Sequence, residues 1–182
     1  MSDEALGHRA APLTLQAKKW FVATPILFAF AIAFMASVVR PGAAEAGDAV
    51  QSVRITRAFG DARVDLQAAI VNQGLNIDYN GRVGEMLKRT GPDVGSSVEI
   101  YREAEYFTFC SSRLSRAMME ADPLNAGLCP YVMFVFESAA TPGEVTVGYR
   151  VLPVGADANP ATTKALGDID ALLSKILAEA TD

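Results

Sequence analysis

The sequence predicts an α+β fold in which a β-sheet and helices form two layers. Several short segments alternate apolar and polar residues, as half-exposed strands do. A longer C-terminal segment repeats its apolar residues about every 3.6 positions, which is typical of an amphipathic helix. Strand-like and helix-like segments follow the order βαβα(β)βαββα, with one uncertain strand in brackets. We therefore expect a mixed sheet with its helices on one face.

The 182 residues suffice for one domain and an N-terminal extension. Residues 20–39 carry no charged side chain, and a helix of that length spans a hydrocarbon layer of ~30 Å. Lys18 and Lys19 precede this run, so we expect residues 1–19 in the cytoplasm and the chain after the span in the periplasm. Residues 40–49 are small and rich in helix breakers, as in a short linker.

A cleaved signal peptide is the alternative interpretation of the N-terminal segment. Ala44, Glu45 and Ala46, followed by Gly47, fit a small-x-small cleavage site. The apolar run is longer than the roughly 7 to 15 residues of a signal h-region, which favours a transmembrane anchor in the inner membrane. Both alternatives deliver the domain of residues 50–182 to the periplasm.

The first half of that domain alternates strands and helices. Val53 and Ile55 lie on one face of the first strand, opposite Arg54 and Thr56. The predicted elements are a strand at 50–59, a helix from its cap at Asp61 to Asn72, a strand at 75–79 and a helix at 82–89. Val64, Leu66, Ile70 and Val71 are expected on the apolar side of the first helix. Residues 98–102 fit either a strand or a helical turn.

The second half contains the most apolar strand. Residues 105–110 form an aromatic strand, and Ser111 or Ser112 caps the helix that follows. Residues 131–136 are almost wholly apolar, as in a central strand, and residues 144–152 supply its hairpin partner. Thr162 and Thr163 are a candidate N-cap pair for the last helix, whose apolar stripe is Leu166, Ile169, Leu172, Leu173, Ile176 and Leu177.

Cys110 and Cys129 are the two cysteines of the chain, and they enclose a helix and a loop. In an oxidising compartment two such thiols form a disulfide, which for a loop of this length contributes about 3 kcal/mol. The alternative is a reactive thiolate at Cys110, because a helix N-terminus lowers the pKa of a nearby thiol. No CxxC motif is present, which argues against thioredoxin-like exchange.

Other chemistry has little support in the sequence. The single histidine, His8, lies outside the domain, so the usual general base and metal ligand are missing from it. Met118 or Met119 could join the cysteines in a Cu(I) site, but core packing explains both methionines. We expect no catalytic residues, metal or cofactor.

Charged residues give no clear site either. The acidic candidates are Glu103, Glu105, Glu120 and Asp122, which could supply a carboxylate pair, but no pattern shows that two of them converge, so solvated charges are the simpler interpretation. Arg113 and Arg116 could hold an anion, although a surface pair with Glu120 is the simpler interpretation. The net charge of −5 and the lack of a basic cluster exclude nucleic acid as an expected partner.

Four segments together resemble one protein family. They are the strand YFTFC, the helix SRAMMEADPLN, the CPY that opens the central strand and the hairpin strand VTVGYR. They are similar, within residues 50–180, to the domain-of-unknown-function family 302. This resemblance implies a small α+β domain that can pair into a homodimer, and it implies no activity or catalytic residue. The apolar span and the cysteine pair would mark an exported, membrane-anchored branch.

These observations predict a non-enzymatic accessory subunit of a membrane protein complex. Its partners would be the lipid bilayer and other membrane subunits, contacted by the span or by the periplasmic domain. The alternative is a periplasmic thiol-redox, small-ligand or metal-binding module that uses Cys110 and Cys129.

Overall fold

The computed structural model describes residues 49–182, which form the α+β domain that the sequence predicts. The predicted leader, the span at 20–39 and the linker up to residue 48 lie outside the described residues. Within residues 49–182, no helix combines the length and the apolar character needed to cross a bilayer.

A five-stranded sheet with the order β1-β5-β4-β3-β2 is the centre of the domain. Its strands are β1 (Val50–Thr56), β2 (Ile77–Gly81), β3 (Tyr101–Phe109), β4 (Tyr131–Ser138) and β5 (Glu144–Arg150). Every neighbouring pair is antiparallel, so the prediction of a mixed sheet was wrong. A strand-helix-strand segment often joins neighbouring parallel strands. Here the first such segment instead carries the chain from β1 at one edge to β2 at the other.

Within residues 49–182, four α-helices accompany the sheet: α1 (Phe59–Asn72), α2 (Val83–Thr90), α3 (Ser112–Ala121) and α4 (Pro160–Thr181). Helices α1 and α3 both pack on α4, and α1 and α4 cover the sheet. Helix α2 packs instead on β3, where Gly84 comes close to the backbone of Ala104. The expectation that helices share one face therefore holds for three of the four.

The core lies between the sheet and these three helices. Alternate residues of the three inner strands enter it: Phe107, Phe109, Tyr131, Met133, Val135, Val145, Val147 and Tyr149. Helix α4 contributes the predicted stripe, of which only Leu172 is not fully enclosed. Burying each large apolar side chain contributes roughly 1.5–3 kcal/mol, so this layer contact is the main stabilising feature of the domain.

Two helix starts differ from the prediction. Helix α1 begins at Phe59, so Asp61 lies in its first turn and does not cap it. Asn159 caps α4: its Oδ1 accepts a hydrogen bond from the backbone N–H of Thr162 at 2.8 Å. Pro160 takes the first helical position, which needs no N–H donor. Thr162 and Thr163 therefore lie inside the helix.

The buried side of α1 also differs from the prediction. Val64 and Val71 are more than half exposed, whereas Ala62 and Ala69 are buried beside Leu66 and Ile70. Alanine at these positions lets the helix approach the sheet closely, because a small side chain occupies little space between the layers. Of the segment 98–102, residues 101 and 102 belong to the start of β3, whereas residues 98–100 belong to no helix or strand.

Candidate functional site

The two cysteines lie where β3 and β4 meet the segment that connects them. Cys110 directly follows β3, and Cys129 follows a short 3-10 helix at Pro123–Leu128. Phe109 and Tyr131 are cross-strand partners, so the pairing of β3 with β4 holds the flanking residues side by side. The Cα atoms of the cysteines are 6.4 Å apart and their sulfur atoms form a disulfide.

Helix α3 begins at Ser112, two residues after Cys110. The hydroxyl of Ser111 accepts a hydrogen bond from the backbone N–H of Leu114 at 3.4 Å, so Ser111, and not Ser112, is the cap. Cys110 thus precedes the cap by one residue, close to the positive end of the helix dipole. If the disulfide were reduced, this position would favour the thiolate form of Cys110.

A hydrogen-bonded pair lies beside the disulfide. Ser115 Oγ is 2.8 Å from the phenolic oxygen of Tyr131 and 3.8 Å from Cys129 Sγ. Burial raises the pKa of the Tyr131 phenol, although hydrogen bonds from Ser115 and from the backbone of Ser111 partly offset that increase. Tyr131 therefore stays neutral at physiological pH, and the pair supplies no charge to a reaction.

The disulfide is the chemically reactive group of this cluster. Cys110 and Cys129 are both partly buried, so a small reagent or an incoming thiolate has limited access to them. Among the described residues, the one hydrogen-bond contact of these sulfur atoms is that between Ser115 Oγ and Cys129 Sγ at 3.8 Å. A disulfide can crosslink the fold or exchange with a thiolate.

The methionines near the cysteines are apolar core residues. Met118 is fully buried, and Met119 packs against the same core. The disulfide occupies both sulfur atoms that the Cu(I) hypothesis needs as thiolates. Among residues 49–182, no three His, Cys, Asp or Glu side chains gather in a metal-binding group.

The acidic candidates lie apart from one another. Asp122 accepts a hydrogen bond from the backbone N–H of Leu124 at 2.9 Å and caps the 3-10 helix. Glu120 forms an exposed pair with Arg116 at 3.2 Å, which is the surface pair expected from their spacing. Arg113 and Glu103 are both exposed, and neither forms an ion pair within residues 49–182.

Glu105 belongs to a network that the sequence did not indicate. One of its carboxylate oxygens, Oε2, accepts hydrogen bonds from Arg63 Nε and from Asn80 Nδ2, both at 2.9 Å. The Arg63 guanidinium also lies 5.8 Å from the centre of the Phe107 ring. These residues come from α1, β2 and β3, and only the tertiary structure brings them together.

The sheet face turned away from the helical core is rich in aromatic side chains. We name this set the aromatic face: Tyr79, Tyr101, Tyr106, Phe134 and Phe136. Phe134 and Phe136 stack with their ring centres 6.1 Å apart, and Tyr101 contacts Phe136 at 5.2 Å. Tyr79 is 59% exposed, so this face has apolar surface available to solvent.

Two glycines lie under rings of the aromatic face. Gly81 pairs with Tyr106, and Gly148 pairs with Phe134 across neighbouring strands. The Tyr106 ring occupies the space where a side chain at Gly81 would stand, and a Cβ atom on Gly148 would lie 2.6 Å from the Phe134 ring. The rings therefore lie flat along the sheet at these positions.

Comparisons with known proteins agree with the fold. The family model "Domain of unknown function DUF302" matches residues 51–180. A similar solved structure is the crystal structure of an uncharacterized conserved DUF302 protein from Bacillus stearothermophilus. It shares 16% sequence identity, covers 72% of this chain and 97% of its own, and superposes with a TM-score of 0.60. A search of curated proteins gave no significant match. Because the family match extends over most of the chain, the protein belongs to the DUF302 family.

Proposed function

We propose that this protein is a membrane-anchored, periplasmic accessory subunit that works by binding other subunits and not by catalysis. The span at 20–39 would anchor it, with residues 1–19 in the cytoplasm and the DUF302 domain in the periplasm. This role would place the protein in an exported branch of its family.

The observation that carries the proposal is the Cys110–Cys129 disulfide. Disulfides persist in the periplasm and are rare in the reducing cytosol, so the bond supports export of the domain. Bonded polar groups, beside the disulfide and elsewhere in the domain, also support a non-enzymatic role. Ser115 and Tyr131 bond to each other, and Glu105 is engaged by Arg63 and Asn80.

The compartment can be tested with thiol reagents in intact cells. We expect Cys110 and Cys129 to resist alkylation before reduction and to react after a membrane-permeant reductant is added. A domain in the cytosol would instead show two thiols that a membrane-permeant reagent alkylates without reduction and that a membrane-impermeant reagent does not reach. That result would overturn both the proposed location and the proposed anchor.

The binding role can be tested by site-specific photocrosslinking in native membranes. A crosslinker in place of Tyr79 would sample the aromatic face, and one in place of Val64 would sample the exposed side of α1 with similar accessibility. We expect Tyr79 to give a crosslink to another membrane subunit and Val64 to give none. A protein that stays monomeric after solubilisation and forms no crosslink at either position would contradict the proposal. A crosslink between two copies would identify a homodimer instead.

A thiol-redox module is the second candidate, and one observation favours it. Cys110 lies next to the start of α3, where the helix dipole would stabilise a leaving thiolate. Under this alternative the disulfide would exchange with the dithiol of a partner protein. Thiol counting after purification without reductant distinguishes the two functions. Two rapidly reacting thiols would support redox work, whereas an intact disulfide that resists mild reductant would support the structural role.

The broader form of this alternative includes a bound small ligand or metal. Purified protein that carries a chromophore or a stoichiometric metal would favour it. The elemental content of protein isolated from native membranes is the direct measurement.

A further inference from the structure

A pocket of about 390 Å³ lies between α2 and the segment that leads into β3, away from the disulfide. We name it the α2 pocket. Its volume falls in the range of roughly 300–1,000 Å³ that is usual for small-molecule sites. One wall is a single face of α2, because Gly84, Leu87, Lys88 and Gly91 follow one another at helical spacing. The other wall is the extended segment from Ser96 to Tyr101.

The walls of the α2 pocket are mainly apolar. Leu87, Pro92, Val98, Ile100 and Tyr101 supply aliphatic and aromatic surface. Val98 is 75% exposed and Ile100 is 50% exposed, so this segment presents apolar side chains that the domain itself does not cover. An apolar group of a ligand would cover these side chains, and the removal of both apolar surfaces from water would favour binding.

Glycines and backbone bonds give the pocket its shape. The carbonyl of Gly91 accepts hydrogen bonds from the N–H groups of Val94 and Ser96, which closes one end of the loop. A Cβ atom on Gly91 would lie 3.0 Å from the Ser96 carbonyl oxygen, and one on Gly84 would lie 2.8 Å from the Ala104 nitrogen. Glycine at both positions therefore lets α2 and the turn after it lie close against the neighbouring backbone, which fixes the position of the α2 wall.

The pocket also has one charge of each sign. Lys88 belongs to the α2 wall and Glu99 to the opposite wall. In residues 49–182, neither side chain forms an ion pair. A ligand with an anionic and a cationic end joined to an apolar group would complement this lining.

We propose that the α2 pocket binds a zwitterionic apolar amino acid, with its carboxylate at Lys88 and its ammonium at Glu99. The apolar side chain would contact Leu87, Val98 and Ile100. Each charge contact is solvent-exposed, so each contributes only about 0.2–1 kcal/mol, and specificity would come from the combination of both charges with the apolar walls.

The test uses the full-length chain in lipid nanodiscs with isotope-labelled Ile, Leu and Val methyl groups. L-leucine should cause saturable shifts of the Leu87, Val98 and Ile100 methyl signals and leave the core residue Ile169 unchanged. Lys88→Gln and Glu99→Gln should each raise the half-saturation concentration about two- to fivefold. Lys175→Gln, an exposed lysine on α4 outside the pocket, is the matched control and should have no effect.

Modified ligands test the assigned contacts. N-acetyl-L-leucine lacks the cation, so Glu99→Gln should not weaken it further, and L-leucinamide lacks the carboxylate, so Lys88→Gln should not weaken it further. Shifts that do not saturate would overturn the proposal. Equal binding of an uncharged leucine analogue, or equal effects of Lys88→Gln and Lys175→Gln, would also overturn it. None of these results bears on the membrane anchor or the accessory role.

Discussion

The Ser115 hydroxyl lies 2.8 Å from the phenolic oxygen of Tyr131, and this hydrogen bond joins α3 to β4 at the edge of the core. Tyr131 is fully buried, and Ser115 is 8% exposed. The same hydroxyl lies 3.8 Å from Cys129 Sγ, so one side chain contacts both the core and the disulfide.

Alkaline pH is expected to destabilise the domain through its buried tyrosines. Burial raises the pKa of Tyr131 and of Tyr149 above the ordinary value of 10.0. Above that value the unfolded state loses these protons before the folded state does, so the free energy of unfolding falls as pH rises. Below that pKa both tyrosines stay protonated in the folded and the unfolded state, so their contribution to the free energy of unfolding is constant. Urea unfolding at a series of pH values would show the decrease, and it would continue until the folded-state pKa values are reached.

A tyrosine variant identifies the source of this pH dependence. Tyr131→Phe should make the decrease above pH ~10 less steep, because phenylalanine does not titrate. The unmodified protein is the reference for this slope. Equal slopes for Tyr131→Phe and the unmodified protein would contradict the assignment.

Loss of the disulfide is expected to lower the free energy of unfolding by about 3 kcal/mol, because the unfolded chain regains the entropy of an open loop. The cysteines are separated by 19 positions. The double variant Cys110→Ser with Cys129→Ser should therefore unfold at a lower urea concentration. Reduced, unmodified protein should behave like the double variant. If reduction leaves the urea midpoint unchanged, the bond does not stabilise the fold.

Removal of the Glu105 carboxylate is expected to destabilise the fold by about 1–2 kcal/mol, because Arg63 and Asn80 lose a shared acceptor in a partly buried position. Glu105 is only 14% exposed. Glu120→Ala is the matched control, because it breaks an exposed Arg–Glu pair and should cost under about 0.5 kcal/mol. Urea unfolding of Glu105→Ala and Glu120→Ala gives the comparison. Similar losses in the two variants would show that the Glu105 network has no special role.

Gly148→Ala is expected to destabilise the sheet by about 1–3 kcal/mol, because the new methyl group overlaps its neighbours. It would lie 2.5 Å from the Gln51 carbonyl oxygen, and that backbone atom is held by the pairing of β1 with β5. Gly81→Ala should cost less, since it displaces only the Tyr106 ring, which can rotate away. Thermal unfolding of both variants measures the difference. A greater loss for Gly81→Ala would contradict this ranking.

Much of the domain could be predicted from the sequence because the relevant signals are local. The apolar stripe of α4 repeats at helical spacing, so it identifies both the helix and its buried side. The apolar run of β4 is continuous, so it identifies an inner strand but not which of its residues face the helical core. The cap at Ser111 was one of two adjacent serines and needed only the start of the helix. The cap of α4 was missed because several polar residues near its start could serve, and backbone geometry selects among them. The residue before α1 is Ala58, which has no capping side chain, so no capping residue marks where this helix begins.

By itself, the sequence determined the α+β class, the order of most elements, the likeness to the DUF302 family and the cysteine pair. Tertiary structure alone decided the strand order β1-β5-β4-β3-β2, the antiparallel direction of every pair and the position of α2 on β3. It also decided which side chains meet, such as Arg63 with Glu105, which are 42 positions apart. The physical reason is the range of the interactions. Periodicity and capping act within a few residues, whereas strand pairing and layer packing depend on contacts between distant segments. No local pattern encodes those contacts.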